Sequence, residues 1–88
     1  MIDYTKLMIN QEDLDFLLDL RKTLLEDQCP IELICNGYAF QIDPGAGGAE
    51  IWHLGEKVAE YTSIDDLFFN FKIKGKSFIE QLAEIDYA

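Results

Sequence analysis

The sequence predicts an α+β fold: an N-terminal helix packed on a four-stranded antiparallel sheet of two hairpins, followed by two short helices. Three observations lead there. A capped amphipathic helix fits residues 11–27, Asn36-Gly37 separates two alternating apolar runs, and the later strands follow one another too closely for parallel pairing. The 88 residues suit one domain, 1–88, with one hydrophobic core.

The helix begins after Asn10, whose side chain suits an N-cap, with Asp13 three residues on and Ile9 and Leu14 in the positions of a hydrophobic staple. Glu12 and Asp13 favour the positive end of the helix dipole. At 100° per residue, Leu14, Leu17, Leu18, Leu24 and Leu25 share one face and Glu12, Asp15, Asp19 and Glu26 the other, interrupted by Lys22. Pro30 stops the helix and biases Cys29 toward extended backbone.

Asn-Gly favours a type I′ turn because both central positions need positive φ. That turn sets Cys35 opposite Tyr38, Leu33 opposite Phe40 and Ile31 opposite Ile42, so one side of the first hairpin is apolar, while Glu32, Ile34, Ala39 and Gln41 take the other. Residues 50–54 and 57–61 suggest a second hairpin about Gly55-Glu56. This register pairs Trp52 with Ala59 but sets Glu50 against Tyr61 and Leu54 against Lys57, so the sequence leaves it open. Ser63 with Asp66, and Ser77 with Glu80, then mark the starts of two short helices, the second carrying Phe78, Ile79, Leu82 and Ile85.

Between the hairpins lies Asp43-Pro-Gly-Ala-Gly-Gly-Ala-Glu50. A phosphate-binding glycine loop leads from a strand into a helix N-terminus. Here it leads from strand to strand, and Glu50 stands where the dinucleotide fingerprint needs Gly or Ala, so the expected role is a weakly ordered connection, with Pro44 ending one strand and Gly47→Ala tolerated. Gly75-Lys76-Ser77 imitates the end of a nucleotide-binding loop, but the glycine needed five residues earlier is Asn70. Lys72, Lys74 and Lys76 read as a solvated edge.

Composition narrows the function. Hydrophobic residues make up 49% and aromatics 12%, enough to offset chain entropy. With 17 acidic against 7 basic residues, the net charge of -10 disfavours nucleic acid and anionic membrane as partners. No apolar run reaches the roughly 20 residues of a membrane span, and the first residues do not read as a signal peptide. A cytoplasmic protein with reduced thiols is expected.

Nothing forms a catalytic constellation, so an enzyme is not expected, nor a cofactor or metal. Cys29 and Cys35 lack the spacing of a redox or zinc pair. Cys35 falls on the apolar side of the first hairpin, and the lone His53 has no partner that sequence can select. The pairs Glu12-Asp13 and Asp65-Asp66 fall in helix first turns, where the dipole explains them.

From Ile51 onward, "IWHLGEKVAEYTSIDDLFFNFKIKGKSFIEQL" resembles small, acidic, uncharacterised proteins of Gram-positive bacteria. The resemblance covers the C-terminal part, departs from the commoner pattern at Lys74, where Asp is frequent, and implies a small α+β domain without bringing an activity or site.

Arg21 falls in the middle of the leucine face, and Phe16 and Leu20 widen the apolar arc to roughly 200°, more than the ~100° a covering helix needs. Either Arg21 reaches the domain edge or pairs with a carboxylate while later elements cover Phe16 and Leu20, or these three residues flank a protein contact. The expected function is a non-enzymatic interaction domain, self-associating as a homodimer or binding another protein through Phe16, Leu20 and Arg21, with Trp52 as an aromatic anchor. The alternative is an acidic inhibitor or decoy that binds a basic, for example nucleic-acid-handling, protein through the stripe Glu12, Asp15, Asp19 and Glu26.

Overall fold

The computed structural model describes residues 3–45 and 48–88. Its architecture is α+β with an antiparallel sheet, as the sequence implies, but the main sheet has five strands rather than four. Helix α1 spans Gln11–Lys22 and continues as a π-helical turn over Thr23–Asp27. Strands β1 (Ile31–Cys35), β2 (Tyr38–Gly45), β3 (Gly48–His53) and β4 (Glu56–Tyr61) follow, then α2 (Ile64–Asn70). A small ribbon of β5 (Lys72–Ile73) and β6 (Lys76–Ser77), a 3-10 segment over Ile79–Glu84 and β7 (Ile85–Tyr87) complete the order. The main sheet runs β4-β3-β2-β1-β7.

Local chemistry explains the first half. Asn10 accepts the amide of Asp13 at 2.8 Å, as an N-cap should. Asn36 and Gly37 hold φ of 50° and 83°, the pair of positive angles a type I′ turn needs. The β1-β2 register is the one this turn dictates, from Cys35 opposite Tyr38 to Ile31 opposite Ile42. Alternation then buries Ile31, Leu33, Cys35, Phe40, Ile42 and Ile51 against Leu17, Leu20 and Leu24 of the first helix and Leu67 and Phe68 of α2 in one cluster.

Three expectations give way. Pro44 does not end its strand: it pairs with Ala49, and Gly45 with Gly48, so β2 and β3 form one continuous hairpin. β1 reaches only as far as Ile31 opposite Ile42, so Pro44 sits where β2 has no neighbour on that side and its missing N–H is tolerated. Gly47 and the substitution expected to be neutral there lie outside the described residues. Gly48 is constrained by close packing, because a Cβ on it would stand 2.7 Å from the carbonyl oxygen of Tyr61.

The second hairpin turns at Leu54-Gly55, with φ of 52° and 81°, one residue earlier than Gly55-Glu56. His53 therefore faces Glu56 and Trp52 faces Lys57, not Ala59. A β-bulge between Ile51 and Trp52 shifts the register by one, so Ile51 meets Ala59 and Ala49 meets Tyr61. The bulge reconciles a turn that would otherwise send Ala59 and Tyr61 outward with a core that needs them inside.

The C-terminal part departs most. Ser63 caps α2 by accepting the Asp66 amide at 2.9 Å, and Ser77 accepts the Glu80 amide at 3.2 Å, yet the second segment is a kinked 3-10 turn. Gln81 leaves helical geometry at φ −123°. Its buried amide donates to the carbonyls of Ile73 and Lys76 at 3.1 and 2.9 Å, closing the β5-β6 ribbon. Gly75-Lys76-Ser77 belongs to that ribbon, with Lys74 and Gly75 forming its turn at φ of 53° and 85°. Ile85 then starts a fifth strand, pairing with Cys35, instead of extending a helix.

Candidate functional site

The four residues singled out from sequence do not come together. Leu20 is 0% exposed and sits in the core, so it offers no contact surface. Phe16 is half-buried, its ring edge-on to Tyr87 at 5.4 Å. Arg21 pairs with Asp65 at 2.8 Å and its guanidinium lies 5.5 Å from the centre of the Tyr4 ring. The core stripe of the first helix is Leu17, Leu20 and Leu24, while Leu18 and Leu25 are exposed. That stripe is rotated from the one the leucine count favours, because Arg21 at its nominal centre is drawn to the edge by Asp65.

The helical carboxylate stripe is also partly engaged within the chain: Asp15 accepts from Gln11 at 2.7 Å and Asp19 from the Tyr87 hydroxyl at 3.2 Å. That hydrogen bond joins burial in pushing the Tyr87 hydroxyl pKa up.

His53 and the cysteines are placed just as clearly. His53 stacks on Tyr38, ring centres 4.2 Å apart, and its Nδ1 contacts the carbonyl of Ala39 at 2.6 Å. Cys35 is buried and Cys29 exposed. Burial pushes the Cys35 thiol pKa up, with the Glu84 charge adding to it, which is the wrong direction for a nucleophile. Among the described residues no group of three acidic, His or Cys side chains is arranged to hold a metal ion.

Trp52 belongs to a different surface. The first helix and α2 pack into the core on one side of the sheet, and Trp52 lies on the other. Its indole N–H donates to Glu50 two residues earlier at 3.2 Å, and it is opposite both Gln41 and Lys57. With Glu32, Ala39, Gln41 and Leu54 it lines a shallow depression of about 290 Å³. An antiparallel sheet with one solvated face normally carries polar residues there. This face instead exposes Leu54 at 86% and Ile34 at 36%, with Val58 at 49% in the bulge.

One row across this face is acidic. Asp43 is directly opposite Glu50, and Glu50 directly opposite Glu60, over three adjacent strands. Lys57 reaches both glutamates, at 3.5 Å to Glu50 and 3.4 Å to Glu60, and their charges, Glu60 foremost, push its amine pKa up. Among the described residues Asp43 has no ion-pair partner. A second depression, of about 480 Å³, extends from Glu50 and Glu60 to Asp66.

Sequence reasoning assigned Ile34 to this face but did not find Leu54 or the carboxylate row, since both depend on the displaced turn and the bulge. The signal available was the mismatch in the second hairpin, where no two-residue turn at Gly55-Glu56 gives a consistent apolar side.

Comparison of the chain with protein-family models, with curated proteins and with solved structures finds no match.

Proposed function

We propose that the protein is a non-enzymatic interaction module that docks a basic protein partner on the open face of its sheet. Leu54 carries the reading. It is 86% exposed and held at φ 52°, a conformation that costs a residue with a Cβ about 1 kcal/mol. The same turn position holds Asn36 in the first hairpin, the residue turn chemistry favours. A leucine that strains its turn and buries little within the fold is explained by a contact outside it, beside the half-buried Trp52.

The partner's basic character follows from the net charge of -10 and from the carboxylates that flank the apolar patch. The reading joins the two expectations from sequence, a protein-binding module and an acidic binder of basic proteins, and moves the surface from the first helix to the sheet. Self-association through the first helix has less support, because Leu20 is buried and Arg21 is paired.

The test is Leu54→Asn, measured for thermal stability and for calorimetric binding of an acetylated, amidated amphipathic lysine–leucine peptide. Stability should rise while affinity falls by about fivefold or more. Unchanged affinity in the stabilised variant would overturn the reading.

A further inference from the structure

We infer that the row Asp43, Glu50 and Glu60 takes a lysine or arginine side chain of the partner, and that Lys57 is an internal stand-in which that side chain displaces. The inference rests on the reading of the open face as the docking surface.

Like charges directly opposite on neighbouring strands destabilise a sheet. Here two such juxtapositions are consecutive, Asp43 against Glu50 and Glu50 against Glu60, and among the described residues one cation, Lys57, reaches the two glutamates. Lys57 stands beside the row because the turn at Leu54-Gly55 sets it opposite Trp52, while the bulge beyond that pair brings Glu60 opposite Glu50. Its side chain is 42% exposed and its contacts, at 3.4 and 3.5 Å, are long for charge-assisted hydrogen bonds. Such a lysine is readily exchanged for another cation, and among the described residues Asp43 has no ion-pair partner at the far end of the row.

Charge and shape select the occupant. A second copy of this chain would bring one acidic row against another. Nucleic acid would bring phosphates toward carboxylates. A bare metal ion lacks a converging set of ligands, since the carboxylates are spread over three strands. A basic protein segment meets both features, its apolar side chain in the depression beside Trp52 and Leu54 and its cation in the one reaching from Glu50 and Glu60 to Asp66.

Calorimetry with the same peptide, using charge-matched pairs of exposed residues, tests this. Glu60→Gln and Glu12→Gln each remove one negative charge, on the row and away from it; Lys57→Gln and Lys72→Gln each remove one positive charge likewise. Glu60→Gln should weaken binding about threefold to tenfold and Glu12→Gln less than about twofold, while Lys57→Gln should tighten it about threefold and Lys72→Gln leave it nearly unchanged. Equal effects within each pair, with binding still perturbing Trp52 fluorescence, would overturn the stand-in and leave the open-face reading intact. Absence of binding, or binding without a change at Trp52, would overturn both. A dimer of the free protein in sedimentation, lost on Leu54→Asn, would make a second copy the occupant and likewise overturn the inference.

Discussion

Arg21 and Asp65 stand 44 residues apart in the chain and meet as a two-pronged ion pair, Nε donating to Oδ1 at 2.8 Å and an Nη to Oδ2 at 3.3 Å. The pair ties the last turn of α1 to the first turn of α2, and the Tyr4 hydroxyl donates to the same carboxylate. The hydrogen bond from Arg21, followed by that from Tyr4, holds the Asp65 carboxyl below its ordinary pKa although burial opposes them.

Asp65→Asn should therefore lower stability at neutral pH by about 1 kcal/mol, a figure discounted because both side chains are partly exposed. The folded pKa lies below the unfolded value, so the wild-type advantage is full above the ordinary carboxylate pKa and is lost as pH falls through the depressed one. Urea unfolding should show a constant difference from neutrality to about pH 5 and a shrinking one toward about pH 2. A difference independent of pH would refute the assignment.

Gly48 and Gly45 face each other in β2 and β3 but should respond oppositely to alanine. At Gly48 the new Cβ meets the Tyr61 carbonyl oxygen at 2.7 Å, and at Gly45 it meets nothing within 4 Å among the described residues. Thermal unfolding should place Gly48→Ala about 1–3 kcal/mol below wild type and Gly45→Ala within about 0.5 kcal/mol of it.

Two turns among the described residues of the main sheet, Asn36-Gly37 and Leu54-Gly55, allow an exchange. Asn36→Leu should destabilise by about 1 kcal/mol or more, since it strains the turn and removes the 2.7 Å hydrogen bond to Glu84. Leu54→Asn should stabilise by about 0.5–1 kcal/mol. Chemical denaturation of both variants checks the pair, and a loss in Leu54→Asn would show that Leu54 contributes packing within the fold.

The thiols should separate kinetically. Cys29 is exposed and Cys35 buried with its pKa raised, so a thiol reagent should modify one cysteine in native protein and the second only on unfolding. Mass spectrometry of the labelled native protein should locate the modification at Cys29.

Ile85→Ala tests the fifth strand. Ile85 is buried opposite Cys35, and its truncation should cost about 2–4 kcal/mol. A loss below about 1 kcal/mol, the scale of a surface position, would argue against β7 as a core strand.

Sequence carried the fold furthest where local chemistry and pattern coincide. Asn36-Gly37 and the alternation on either side sufficed for every pair of the first hairpin, and Asn10 and Ser63 cap the helices expected to follow them. It fell short where tertiary contacts override local preference. Leu54 is a poor residue for positive φ, so turn chemistry does not mark its turn, and the bulge between Ile51 and Trp52 hides the register from the alternation pattern. Ile85–Tyr87 is too short to show a period and becomes a strand because the free edge of β1 accepts it. Of the candidate site, Trp52 was named from the sequence; the carboxylate row was not, because it is assembled across three strands with the help of a bulge.

The β1-β7 pairing has a consequence for how the chain is made. While residues 1–70 are emerging from the ribosome, the first hairpin, the second hairpin and both α-helices can form, yet β1 keeps one edge open. Until Ile85 arrives, Leu33 and Cys35 border an unpaired apolar strand, the kind of template on which nascent chains associate. Synthesis halted in that interval would leave a nearly folded but adhesive product, so β7 acts as a late seal on the open edge of β1.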